Sequence, residues 1–136
     1  MPDIRPELSK ENRYWIDRHR YYELKHFCLQ YKTWKTYIRE IDGMKSEIFP
    51  GGNSNRNFSN PTLHAVELRE LYSAKIKLVE DCAKEASPEL SNYILKAVTE
   101  ELKYENLRMV HGLPCGREMW YELYRRFFYI LNCSRK

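Results

Sequence analysis

Glycine and proline are scarce in this chain, 5 and 6 of 136 residues, too few for a collagen-like or linker-like polymer. Cysteine is sparse and scattered: Cys28, Cys82, Cys115 and Cys133 form no CxxC pair. Neither these thiols nor His19, His26, His64 and His111 stand at ligand spacing, so no metal site is expected. Isolated thiols without a pairing framework point to a reducing compartment. Apolar runs are only a few residues long, far short of the roughly 20 that a transmembrane helix requires. The first 13 residues are polar and charged, without the apolar segment of a secretory leader. A cytoplasmic protein with no membrane partner is the expectation. Catalytic signatures are also missing: no GxSxG, no HExxH, no Walker loop and no glycine-rich dinucleotide turn. Pro50-Gly51-Gly52 has no strand before it and no phosphate-binding lysine after it. The sequence therefore predicts a non-enzyme without a cofactor.

What is present is the composition of a soluble globular protein: 43% hydrophobic and 31% charged residues, with a mean hydropathy of −0.73. The length suits one domain, or one domain with a helical extension, and can bury a core without staples. Aromatic residues are abundant, with 11 Tyr, 5 Phe and 3 Trp, and rings in that number form either a core or a contact surface. The net charge of +4 is unevenly spread. Residues 61–103 carry six basic against eight acidic side chains, whereas residues 104–136 carry six against three. The C-terminal quarter is thus the anion-facing end.

Helical periodicity dominates. With Ser9 as N-cap, residues 11–42 read as one long helix, or two with a break near Tyr31–Thr33, along the stripe Tyr14, Tyr21, Leu24, Cys28, Tyr31, Trp34, Ile38 and Ile41. Asp42-Gly43 is expected to end it. Residues 43–60, with Pro50-Gly51-Gly52 and four asparagines in eight residues, read as a flexible linker. Asn60-Pro61 opens a third segment, and Leu68, Leu71, Leu78 and Cys82 carry it to about residue 86. Ser87-Pro88-Glu89 is a second start signal, followed by the apolar face Leu90, Tyr93, Ile94, Ala97, Val98. No run alternates in the manner of a strand. The predicted fold is all-α: an N-terminal helical segment 1–42, a linker 43–60 and a C-terminal helical domain 61–136.

Within that domain, residues 104–132 read YENLRMVHGLPCGREMWYELYRRFFYILN. A short helix, Tyr104–Val110, closes at His111-Gly112, where glycine suits a left-handed residue. Leu113 then plugs the space between this helix and a longer one over Cys115–Asn132. The longer helix turns Met119 or Trp120, Leu123, Phe127 and Ile130 or Leu131 inward. Arg117, Glu118, Tyr121, Glu122, Arg125 and Arg126 face outward. Short helix, glycine turn and Arg/Tyr-rich helix are helix-turn-helix geometry, and equally an ordinary helical hairpin with a solvated outer face. As a helix-turn-helix, the second helix lies in a major groove. Arg117 and Tyr121, with Arg125 farther along, then face base edges, and Arg126 faces phosphate together with Lys103 and Arg108. The cluster Asp17-Arg18-His19-Arg20-Tyr21-Tyr22 reads as structural, its tyrosines packed and its arginines wet.

The turn Gly112-Leu113-Pro114, preceded by Tyr104-Glu105-Asn106-Leu107, resembles the region-four helix-turn-helix of sigma factors. The segment GLPCGREMWYELYRRFFYIL is similar to small phage and prophage proteins of Gram-positive bacteria classed with ArpU/RinA-type late transcription regulators. The sequence departs from that pattern at Arg108, where a small residue is usual, and at Glu118, where an aliphatic one is usual and Met119 follows. The turn is accordingly expected to be a residue longer. The resemblance implies a transcriptional regulator of a bacterial host cell that binds double-stranded DNA. Its N-terminal helices would meet RNA polymerase, another protein or a second protomer in a homodimer. Two other readings stand beside it: a small terminase-like packaging subunit oligomerising through residues 61–86, and a phage accessory protein whose aromatic residues bind a host protein.

Overall fold

The computed structural model describes the backbone of residues 11–51 and 59–135, and the side chains of 11–43 and 63–135. Among the described residues there are six helices and no strand: α1 (Arg18–Leu29), α2 (Tyr31–Gly51), α3 (Ser59–Ala86), α4 (Ser91–Glu100), α5 (Tyr104–His111) and α6 (Arg117–Ser134). The all-α expectation holds. The chain divides into two compact units, Met1–Gln30 with Leu78–Lys136, and Tyr31–Lys77.

In the first unit, α1 packs on α4 and α6, and α4 also packs on α5. The predicted Ser9 cap lies outside the described residues. The helix starts instead at Arg18, because Asp17 accepts a hydrogen bond from the His19 N–H (3.1 Å) and so satisfies an orphan donor of the first turn. The break falls at Gln30, one residue ahead of the expected window. Tyr21, Leu24 and Cys28 of α1 are completely buried. Their neighbours are largely aromatic. The Phe128 ring lies 5.1 Å from Tyr21, 5.0 Å from Tyr124 and 5.0 Å from Phe127, with tilted or edge-on geometry that aromatic quadrupoles favour. The Tyr21 and Tyr124 hydroxyls share a hydrogen bond at 3.3 Å. Arg20 latches α1 to the end of α6: its Nε donates to Asn132 Oδ1 (2.7 Å) and its Nη2 to the Arg135 carbonyl. The Arg135 guanidinium stacks over Phe27 at 4.0 Å.

Cys28 and Cys82 are buried here, and burial raises both thiol pKa values, that of Cys82 to about 11. Among the described residues no group of three His, Cys, Asp or Glu could hold a metal ion. No described helix is long and apolar enough to cross a membrane.

The second unit holds α2 and the first part of α3. Asp42-Gly43 does not end α2, which continues to Gly51. A helical glycine costs only about 1 kcal/mol, and Asp42 is engaged by Arg69 of α3 at 2.8 Å. Residues 43–51 and 59–60 of the predicted linker are therefore helical, the latter as the start of α3, and 52–58 lie outside the described residues. Tyr37 stacks on Tyr72 (5.1 Å), and Lys75 stands over the buried Trp34 ring at 5.7 Å.

Candidate nucleic-acid interface

The segment from α4 to α6 builds the region that the sequence marks for DNA. α4 ends in a left-handed residue, Glu101 (φ 59°), whose N–H, like that of Leu102, donates to the Ala97 carbonyl. This is the bonding pattern of a glycine C-cap carried by a glutamate. α5 ends in the same conformation at Gly112 (φ 74°), where a Cβ would meet open space. The N–H groups of Gly112 and Leu113 both donate to the Leu107 carbonyl. Leu113 is buried, 2% exposed.

The turn runs from 112 to 116, and α6 begins at Arg117 rather than Cys115. Side chains from the preceding helices satisfy the turn's carbonyls, a requirement for irregular backbone at a packed surface. Tyr93 donates to the Gly112 carbonyl (3.4 Å), Tyr104 to that of Cys115 (3.2 Å), and Arg108 to those of Leu113 and Cys115 (both 3.4 Å). On α6, Trp120, Leu123, Phe127 and Leu131 point inward as expected, joined by Phe128, while Met119 is 54% exposed.

The six sequence-predicted residues fall into four groups. Arg108, read as a phosphate contact, is engaged with the turn. Arg117 is clamped to α5: its Nη2 pairs with Glu105 Oε2 at 2.9 Å, its Nη1 donates to the Tyr121 hydroxyl (3.1 Å), and its guanidinium lies 4.9 Å from the Tyr104 ring centre. Arg117 and Tyr121 thus sit together, one turn apart on α6. The Glu105 carboxyl is held below its ordinary pKa by its own backbone N–H and then by Arg117.

Lys103, at the N-cap of α5, and Arg126 on α6 are exposed, without a partner among the described residues. Arg125 is half-buried, and its Nε is shut off from solvent with no hydrogen-bond acceptor among the described residues. Glu118 and Glu122 share the exposed face of α6.

Periodicity had no means of revealing the roles of Tyr93, Tyr104 and Glu105, because their partners are backbone carbonyls and a side chain on another helix. Compared with known proteins, the chain matches no family model, no curated protein and no solved structure.

Proposed function

We propose that this chain is a sequence-specific DNA-binding transcription regulator of the phage type its C-terminal segment resembles, acting in the cytoplasm of a bacterial host. The observation that carries this reading is the turn. A left-handed Gly112 and a buried Leu113 join a short helix to a longer one whose exposed side bears Arg126, without a partner among the described residues, and the second helix docks in the major groove. Lys103 and Arg126 contact phosphates, as does Arg108 once it swings away from the turn. Arg117, Tyr121 and Arg125 face the groove.

Arg117 reaches a base only by leaving Glu105. An exposed ion pair is worth little against solvent, whereas a bidentate arginine–guanine contact discriminates bases by roughly tenfold to a hundredfold. The exchange therefore favours DNA. The α2–α3 unit, with Leu63 and Leu71 exposed, is the part available to polymerase or to a second copy of the chain. No catalytic step is assigned.

The test is fluorescence anisotropy on a random-pool duplex from about 50 to 200 mM salt. About six phosphate contacts predict a loss of affinity of roughly a thousandfold across that range. Absence of binding at the lowest salt rejects the reading. A second reading, a protein-binding accessory factor, is favoured by Met109, Val110 and Met119, which flank the same turn and are 85%, 66% and 54% exposed. Flexible, polarisable methionines suit an adaptable protein contact. Met109→Ser together with Met119→Ser then abolishes capture of a host protein and leaves DNA affinity unchanged.

A further inference from the structure

Ahead of α1, residues 12–14 run beside the middle of α6. An Asx turn shapes them: Asn12 Oδ1 accepts from the Tyr14 N–H (2.8 Å), and the Asn12 carbonyl accepts from the Trp15 N–H (3.0 Å). Tyr14 is buried and its ring packs on Tyr129 of α6 at 5.6 Å, which fixes the segment against the helix. Between them is an open hollow of about 260 Å³ lined by Asn12, Arg13, Tyr14, Glu122 and Arg125.

The Arg13 guanidinium stacks on the Tyr14 ring at 4.9 Å, and neither Arg13 nor Arg125 has an ion pair among the described residues. The Arg125 Nε–H is shut off from solvent and has no acceptor among the described residues, a state that native proteins seldom leave uncompensated, and it meets a phosphate only once the side chain turns out into the hollow. Two guanidiniums and one carboxylate leave one positive charge, matching a phosphate group that carries a single negative charge.

We propose that this hollow is a phosphate site, with Arg13 and Arg125 donating to one phosphate group, and that the N-terminal segment thereby joins α6 in gripping a nucleic-acid backbone. The assignment of that phosphate to DNA rests on the DNA-binding reading above. Planar guanidiniums favour phosphate through paired N–H donors, and the Asn12 side-chain amide supplies a third donor at the rim.

Two measurements separate the outcomes. On a duplex, Arg13→Gln weakens binding roughly tenfold and makes the salt slope shallower by about 0.9, whereas Arg13→Lys keeps the slope. Binding by the parent chain with no change in Arg13→Gln overturns the phosphate site and leaves DNA binding standing. Independently, inorganic phosphate is titrated while the Arg125 Nε–Hε resonance is followed by NMR. A saturable shift in the parent chain that is absent in Arg13→Gln supports the site even if no duplex binds, the phosphate then coming from another source. No shift with phosphate and no Arg13 effect on a duplex rejects it.

Discussion

Among the described residues two adopt the left-handed backbone conformation, and chemistry treats them differently. Gly112 enters it without a Cβ, whereas Glu101 does so with a full side chain, at a cost near 1 kcal/mol. Lys25, mostly buried, pairs with the Glu101 carboxylate at 3.3 Å, but the glutamate is exposed, and such a pair offsets only part of the strain. Glu101→Gly is therefore expected to raise stability by about 0.5–1 kcal/mol, and Gly112→Ala to lower it by about 1–2 kcal/mol, both read from urea midpoints at constant m. The space around Gly112 is open, so the loss comes from the backbone alone, and Gly112→Asn should recover part of it. A neutral Gly112→Ala contradicts the turn geometry.

At the scale of elements, α5 and α6 are linked at their first turns by the Glu105–Arg117 pair, and the Arg117–Tyr121 hydrogen bond within α6 orients the guanidinium. The Glu105 carboxyl has a pKa lowered from 4.5, so its folded-state contribution is fully present above that ordinary value. It is lost as pH falls through the depressed one. Amide exchange at residues 104–107 is expected to quicken, relative to the rest of the core, as pH falls below 4.5. Glu105→Gln removes that pH dependence. In the DNA-binding reading the same substitution releases Arg117 and strengthens duplex binding severalfold, whereas a purely structural Arg117 leaves affinity flat or lowers it. α2 carries a different lesson. Asp42-Gly43 has the composition of a helix stop, yet the helix continues, because Asp42 gains Arg69 as a partner on α3.

For the molecule as a whole, the aromatic residues are divided between core and rim. Tyr21, Phe127 and Phe128 are fully buried in the first unit, whereas Tyr37 and Tyr129 are 42% and 37% exposed. Phe128 touches three other rings. Phe128→Ala is expected to cost about 3–5 kcal/mol, a large share of the 5–15 kcal/mol typical of a domain. Calorimetry should show the loss in the transition that reports α1, α4 and α6. A loss below 1 kcal/mol would mean that the cluster is not the core it is drawn to be.

The sequence by itself determined the helical class, the apolar stripes of α4 and α6, the left-handed glycine and the buried leucine after it. Each is a local matter of period and backbone sterics. It also marked the basic C-terminal quarter, since charge is additive along a chain. Only the tertiary structure decided how those charges are spent: Arg108 on turn carbonyls, Arg117 on Glu105, Arg20 on Asn132, while Lys103 and Arg126 stay exposed. A guanidinium's partner is set by what the fold brings within about 3 Å, and residues 12 and 112 apart in sequence are equally eligible. Arg13 shows the same limit. Nothing in the run Asn12-Arg13-Tyr14 refers to Arg125, and only the packing of Tyr14 against α6 brings the two arginines to one hollow.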